Sequence, residues 1–315
     1  LSIHLARVGH DVWLWGRDAR LIEDLRVRRA NAVYLPDVLL PDGVTPTADL
    51  TAAVSRAETL VWVVPSHGTR ALMLAVSAAL RPDALVVSAT KGLEVDSWKR
   101  PSEVLSECLP EGLPVVTLSG PSFAGEVARE LPTAVCAAST DEAAVGRVLE
   151  QFRGRRFRLY ASDDVVGVEL GGAYKNVIAI AAGVVEGLGL GHNALAGLVT
   201  RGLAEMTRLA CALGGRRDTL AGLGGLGDLV LTCTGGASRN LHVGVELGRG
   251  RSLHDVLAGM KMVAEGVNAT RGVLAIGRSH GVELPIAHQM DDVLAGRVHP
   301  LDATEALMLR PQKAE

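Results

Sequence analysis

Lysine is scarce in this chain, whose 32 cationic side chains divide into 27 Arg and 5 Lys. One of the five, Lys175, stands in the segment GGAYKNVIAI, with glycines before it and apolar residues after it. A cation kept in such surroundings as lysine suits a proton that must come and go, a task arginine cannot perform. Over 165–188 the pattern reads as one long, mostly apolar helix. Gly171 and Gly172 share the Lys175 face at i−4 and i−3, and Ile178 and Ala179 share it at i+3 and i+4. An interior glycine costs about 1 kcal/mol relative to alanine, so the pair is expected to leave room for something. Desolvation on this face would lower the ammonium pKa towards general acid–base use. On the segment alone, a lysine snorkelling from a buried helix to the surface is an equal reading.

A second concentration of chemistry follows. Gly222, Gly224 and Gly227 satisfy G-x-G-x-x-G, with Glu246 about twenty residues on, but residues 213–218 before them read as a loop and not as a buried strand. The glycines are therefore expected to form a tight loop that delivers Asp228 to the start of a helix over 229–233. There an aspartate could simply be the N-cap. Ser238, Arg239 and Asn240 come next and offer a hydroxyl, a forked cation and an amide. That trio suits a phosphate ester, although taken alone it reads more readily as a helix cap and surface. His67 and His192 each lie near a turn-forming glycine and read as loop residues.

The elements that must position these groups fall into two regions. Strand-like runs at 11–15, 59–64, 84–88, 114–118, 133–138 and 156–160 alternate with helical patterns at 19–30, 69–80 and 141–152. This predicts an α/β fold, a Rossmann-like doubly wound parallel sheet over residues 1–163, followed by an all-helical domain over 164–315. Such sheets bind ligands beyond the carboxyl ends of their strands, which here carry Pro65–Ser66, Thr90–Lys91–Gly92 and Gly120–Pro121–Ser122. After the strand at 11–15 comes Gly16–Arg17–Asp18. Arg17 favours a ribose 2′-phosphate and so NADP(H), the neighbouring acid would suit NAD(H), and a plain surface turn is nearly as good a reading. Residues 2–8 read as the end of a helix and Gly9 as its left-handed cap. The first strand and glycine-rich phosphate turn that precede such a helix in dinucleotide folds are not in the sequence, and the first residue is Leu. The expectation is a product truncated at its N-terminus, with neighbouring strands deprived of a ladder partner. The alternative is a variant that closes the sheet another way.

Bulk properties narrow the function. The chain has 315 residues, 48% hydrophobic and 21% charged, ordinary for a globular protein of two domains. A net charge of −3 gives no electrostatic reason to expect nucleic acid or an anionic membrane surface. Cys108, Cys136, Cys211 and Cys233 are too scattered for a metal site and read as reduced thiols of a cytoplasmic protein. No uninterrupted apolar run reaches the roughly 18 residues of a membrane span.

The segments NAVYLPDV, VVPSH, ATKGLE, SGPSFAGE, LPTA, LGGAYKNVIAI, TRGLAEM, GLGDLVLTCT, SRN and VAEG, in this order and spacing, cover nearly the whole chain. Together they resemble the bacterial NAD(P)-dependent glycerol-3-phosphate dehydrogenases. The resemblance implies interconversion of dihydroxyacetone phosphate and sn-glycerol 3-phosphate for glycerophospholipid biosynthesis, at a site between a dinucleotide-binding and a helical domain. It makes Lys175 the catalytic acid–base and puts Lys91 near both substrate and cofactor. Gly120 and Ser122 would present backbone and hydroxyl groups to substrate, and Asp228 would hold the lysines in register. Ser238, Arg239 and Asn240 would take the substrate phosphate. Ala124, Val263, Glu265, Arg239 and Arg17 would line the NADP(H) or NAD(H) site. No metal is implied, and a homodimer is. Without the resemblance, VAEG reads as a loop before a helix over 268–277. Two further readings stand beside it: a related 3-hydroxy acid dehydrogenase, and a non-catalytic nucleotide sensor or scaffold derived from the enzyme.

Overall fold

The structure is a computed structural model and describes residues 1–260 and 264–312. They form two compact units, Leu1–Thr90 with Ser102–Val165, and Lys91–Pro101 with residues from Val166 onward.

The first unit is built on β-sheet. Strands β1 (Val12–Trp15) and β4 (Val44–Thr47) pair in parallel, and β2 (Ala30–Asn31) with β3 (Leu35–Leu39) makes an antiparallel hairpin. A separate sheet runs in the order β5 (Thr59–Trp62), β6 (Leu85–Ser88), β7 (Val115–Ser119), β8 (Thr133–Ala138), β9 (Phe157–Ser162). Helices α1 (Ser2–Arg7), α2 (Ala19–Arg28), α3 (Leu50–Arg56), α4 (Ser66–Val76), α5 (Pro101–Cys108), α6 (Ala124–Ala128) and α7 (Glu142–Gln151) alternate with the strands. Asp18, Asp49 and Asp141 start α2, α3 and α7 by accepting a bond from first-turn amides. Strand β6 shows why the sheet needs helices on both faces. Leu85 and Val87 pack with Val145, Val148 and Phe152, whereas Val86 packs with Met73, Val76 and Leu105.

One expectation needs correction. The five-stranded sheet is not wholly parallel, because β7 and β8 run antiparallel, with Leu118 opposite Ala137. The chain between β7 and β8 carries only the five-residue α6, in place of the longer crossover helix usual between parallel neighbours. The hairpin and β4 were also not foreseen. Pro36 and Pro46 lie inside β3 and β4, and proline argues against a strand unless the strand is an edge.

The second unit is helical: α8 (Val165–Gly187), α9 (Gly191–Ala212), α10 (Arg217–Ala221), α11 (Asp228–Thr234), α12 (Arg239–Gly248), α13 (Leu253–Ala258), α14 (Glu265–Ser279), α15 (Pro285–Leu294) and α16 (Pro300–Met308). Helix α8 is its axis. By length and composition the most apolar 18-residue window of α8 could cross a membrane, although Glu169, Lys175 and Glu186 interrupt the apolar run of the helix. That window is 89% buried within the protein, so its apolar surface is taken up by neighbouring helices. Glu205 of α9 shows how they are joined. Its buried carboxylate accepts from the Tyr174 hydroxyl at 2.5 Å and from the amides of Ile286 and Ala287 at 3.0 Å, capping α15.

Candidate active site

Two close approaches to α8 depend on glycine. At Gly171 an added Cβ would stand 2.3 Å from the carbonyl oxygen of Gly224, and at Gly183 it would stand 2.1 Å from that of Leu241. The first contact seats the Gly222–Gly227 segment on α8, and the second seats α12. The room expected beside Lys175 is therefore filled at Gly171 by backbone. A Gly171→Ala substitution should push that segment away and displace Asp228. We expect a lower melting temperature and at least a tenfold loss of kcat; parent-like values of both would contradict this account of the contact.

The tight segment expected here is a π-helical turn over 223–227 that delivers Asp228 to the start of α11, and Gly227, not Asp228, is the N-cap. Asp228 is the first helical residue, fully buried, and its carboxylate is free to bind side chains. Oδ2 accepts from Lys91 Nζ at 2.5 Å, and Oδ1 accepts from Lys175 Nζ. Lys175 also donates to Thr232 Oγ1 at 2.9 Å, and that hydroxyl donates to the Asp228 backbone carbonyl at 2.6 Å. Lys175 is 7% exposed, which excludes the snorkelling alternative. Its pKa is lowered to about 7: burial is the largest cause, the Lys91 charge acts in the same direction, and Asp228 opposes both. Cys233 beside them is a neutral thiol, pushed up to about 12 by burial.

Lys91 belongs to the segment Lys91–Pro101, which lies on this helical unit. Leu93 and Trp98 sit where a Cβ on Gly272 would meet them at 2.8 Å, and Arg100 pairs with Glu169 at 2.9 Å. The starts of α12 and α14 meet α8 one residue beyond Lys175. Gly266 of α14 donates its amide to Asn240 Oδ1 at 3.0 Å, and its Cβ position is 2.7 Å from the Asn176 carbonyl. Ser238 is the N-cap of α12, accepting from the Leu241 amide at 3.2 Å. Of the trio Ser238, Arg239 and Asn240, only Arg239 is exposed. Glu265 is the first residue of α14, which starts three residues earlier than expected, and Val263 lies outside the described residues.

The first unit carries the remaining candidates beyond the carboxyl ends of its strands. Arg17 is exposed after β1, while the Asp18 carboxylate accepts from the Arg20 and Leu21 amides and is committed to capping. Gly120 follows β7 with φ +130°, its Cβ position 3.1 Å from Val135 Cα, and Ser122 Oγ donates to its carbonyl at 3.0 Å. Ala124 opens α6 and is exposed. Helix α4 begins after β5 without a side-chain cap, so its first-turn amides suit an anionic acceptor such as a phosphate. These features fit a dinucleotide, with Arg17 available to a 2′-phosphate. His67 and His192 are exposed in the first turns of α4 and α9, not in loops.

Thr232 and Asn176 were missed from sequence. Thr232 is four residues beyond Asp228, a helical spacing that could have pointed to it, and Asn176 adjoins Lys175.

A Rossmann-like sheet unit joined to a helical unit with a buried, titratable lysine defines a two-unit nucleotide-dependent dehydrogenase. Family profiles described as the N-terminus and the C-terminus of NAD-dependent glycerol-3-phosphate dehydrogenase match residues 1–145 and 164–305. The chain belongs to the NAD-dependent glycerol-3-phosphate dehydrogenase family. A glycerol-3-phosphate dehydrogenase (NAD(P)+) of Acidobacterium capsulatum is 52% identical, covering 100% of this chain and 96% of that one. One from Koribacter versatilis is 51% identical over 98% and 93%. The crystal structure of the Coxiella burnetii glycerol-3-phosphate dehydrogenase superposes with TM-score 0.94 at 37% identity, covering 98% and 95% of the two chains. A ketopantoate reductase from Ralstonia eutropha, 17% identical at TM-score 0.60, shares the fold alone.

Proposed function

We propose that this protein reduces dihydroxyacetone phosphate reversibly to sn-glycerol 3-phosphate with NADPH or NADH, providing the backbone of glycerophospholipids. The observation that carries the reading is the buried amine of Lys175, held by Asp228 and Thr232 with Lys91 on the same carboxylate. The nicotinamide, when bound, supplies the hydride and takes it back in the reverse direction. The Lys175 ammonium donates its proton to the carbonyl oxygen as carbon is reduced, and the neutral amine accepts the hydroxyl proton in reverse. Lys91 polarises the carbonyl and favours an anionic ligand. Asp228 orients both amines and balances one of their charges. Arg239 takes the substrate phosphate, because a guanidinium fork matches phosphate oxygens. Gly120 and Ser122 present polar groups to substrate, and Ser238 and Asn240, whose oxygens accept from the Leu241 and Gly266 amides, join Arg239 on the phosphate through their hydroxyl and amide donors. Arg17, Ala124, Lys91, Arg239, Val263 and Glu265 hold the nucleotide. The enzyme works in the cytoplasm as a homodimer.

The deciding experiment is oxidation of NADPH and NADH on addition of dihydroxyacetone phosphate, with 3-hydroxy acids as controls. No turnover by folded protein with either nucleotide would refute the reading. Because the Lys175 pKa is about 7, kcat for reduction should fall as pH rises through about 7, where the ammonium is lost. For oxidation, kcat should fall as pH drops through the same value; a profile flat in both directions would exclude Lys175 as the proton donor. Arg239→Ala should raise KM for dihydroxyacetone phosphate about tenfold or more, in line with roughly 1.5–3 kcal/mol for a charged hydrogen bond. KM for the ketone should move more than KM for nucleotide.

A further inference from the structure

Lys91 reaches Asp228 from a stretch that has neither helix nor strand before Pro101. That stretch is folded on itself. The Trp98 amide donates to the Glu94 carbonyl and the Glu94 amide to the Lys99 carbonyl, both at 2.9 Å. Ser97 Oγ donates to Glu94 Oε2 at 2.5 Å, and Asp96 and Trp98 hold left-handed backbones, φ 77° and 56°. These bonds tie the segment to itself, and what sets its register is where it is fastened to the helices. Leu93 and Trp98 pack on Gly272 of α14, an apolar contact without direction. Arg100, near its far end, donates from a guanidinium nitrogen to Glu169 Oε2 at 2.9 Å. The Glu169 side chain is 1% exposed and that of Arg100 14%. Glu169 is on α8, six residues before Lys175, so one rigid helix carries both the amine and the anchor of the segment bearing Lys91.

We propose that Arg100 and Glu169 are a positioning pair, which holds the Lys91–Pro101 segment in register on α8 and so sets how close Lys91 stands to Lys175 on Asp228. This rests on the reading of Lys175 as proton donor. Apolar packing tolerates sliding, whereas a charge-assisted hydrogen bond to a buried carboxylate fixes both distance and direction. A buried ion pair contributes little net stability, so its value here is in register. The groups set around Lys175 are Asp228, Thr232 and Cys233 from α11 and Lys91 from this segment. Of these, Lys91 is the one whose distance Arg100 and Glu169 control. If the segment slips, the Lys91 charge recedes and Lys175 holds its proton to higher pH.

The chain has five lysines, so 13C labelling of lysine Cε gives few signals, and Lys175→Arg assigns the one of interest. The full chain is titrated as parent, as Glu169→Gln, and as the double variant Arg100→Met/Glu169→Leu, which removes both charges of the pair together. In both variants the Lys175 midpoint should rise by about one pH unit, a tenfold change in its proton affinity. Lys91→Met should give the same rise, with no further rise when it is combined with the double variant. Parent-like titration of Lys175 in the folded double variant would overturn the proposal. Should that protein not fold, Arg100→Lys, which keeps the charge but shortens the side chain and removes the guanidinium nitrogen that makes the bond, must still raise the midpoint, and an unchanged midpoint there overturns it equally. The readout needs no substrate. A parent that titrates near 7 but does not turn over dihydroxyacetone phosphate therefore counts against the function and leaves the positioning pair to be judged by its own variants.

Discussion

Lys175→Met should lower kcat for reduction of dihydroxyacetone phosphate by roughly 10²–10⁴-fold, the usual contribution of a positioned general acid. Methionine keeps the apolar stem and removes only the proton carrier. Asp228 remains paired through Oδ2 with Lys91, so no buried charge is stranded. Nucleotide affinity should stay close to that of the parent, because the proton is used only at the carbonyl. Stability has a signed signature as well. Folding lowers the Lys175 pKa from 10.5 to about 7, so between these values the unfolded chain binds more protons. Lys175 in the parent therefore destabilises the fold most below about pH 7, and the penalty is relieved as pH rises towards 10.5. The methionine variant should lose that slope and melt no lower than the parent at neutral pH. Stopped-flow turnover, nucleotide titration and melts across the window test all three, and a kcat within a few-fold of the parent would sink the assignment.

Asp228→Asn should be more disruptive, through a different cause. It leaves two ammonium groups facing a neutral amide at a buried site, whose single oxygen replaces two carboxylate acceptors, while Thr232 still accepts from Lys175. Removing one partner of a buried ion pair costs roughly 3–5 kcal/mol when the other cannot shed its charge. Lys175 can shed its charge, since Asp228 is what holds its pKa up. The full cost is thus expected at acidic pH, with less above neutrality. The reductive pH profile should shift to lower pH, and kcat at pH 7 should fall at least as far as in Lys175→Met. Denaturant melts at pH 5.5 and 8 separate the two effects. Equal losses at both values would show that charge is not the cause.

Much of this was legible in the chain itself, because local physics wrote it there. Alternation of apolar runs with helical patterns specified a doubly wound sheet followed by helices, since each element must bury one face. A lysine set among glycines and apolar residues in a lysine-poor chain marked Lys175, because desolvation follows from its immediate neighbours. Asp228 and Arg239 stood out by type and company, and their family resemblance by the order of the motifs.

Other features depended on which distant residues meet. Nothing local distinguishes Asp228 as an N-cap from Asp228 as the carboxylate shared by two lysines; the choice was made by contacts 137 and 53 residues away in sequence. The apolarity of α8 is that of a membrane span by composition, and only the helices around it make it a core. Ser238 and Asn240 have the same types wherever they stand, and only the assembled helices show their oxygens accepting from the Leu241 and Gly266 amides. The antiparallel step at β7–β8 is a matter of which way two strands meet, which the pattern of neither strand records. Local sequence determined the elements and the residues able to do chemistry. The tertiary fold decided which oxygens and amines share one buried place, because burial, pairing and charge are properties of assembled neighbours.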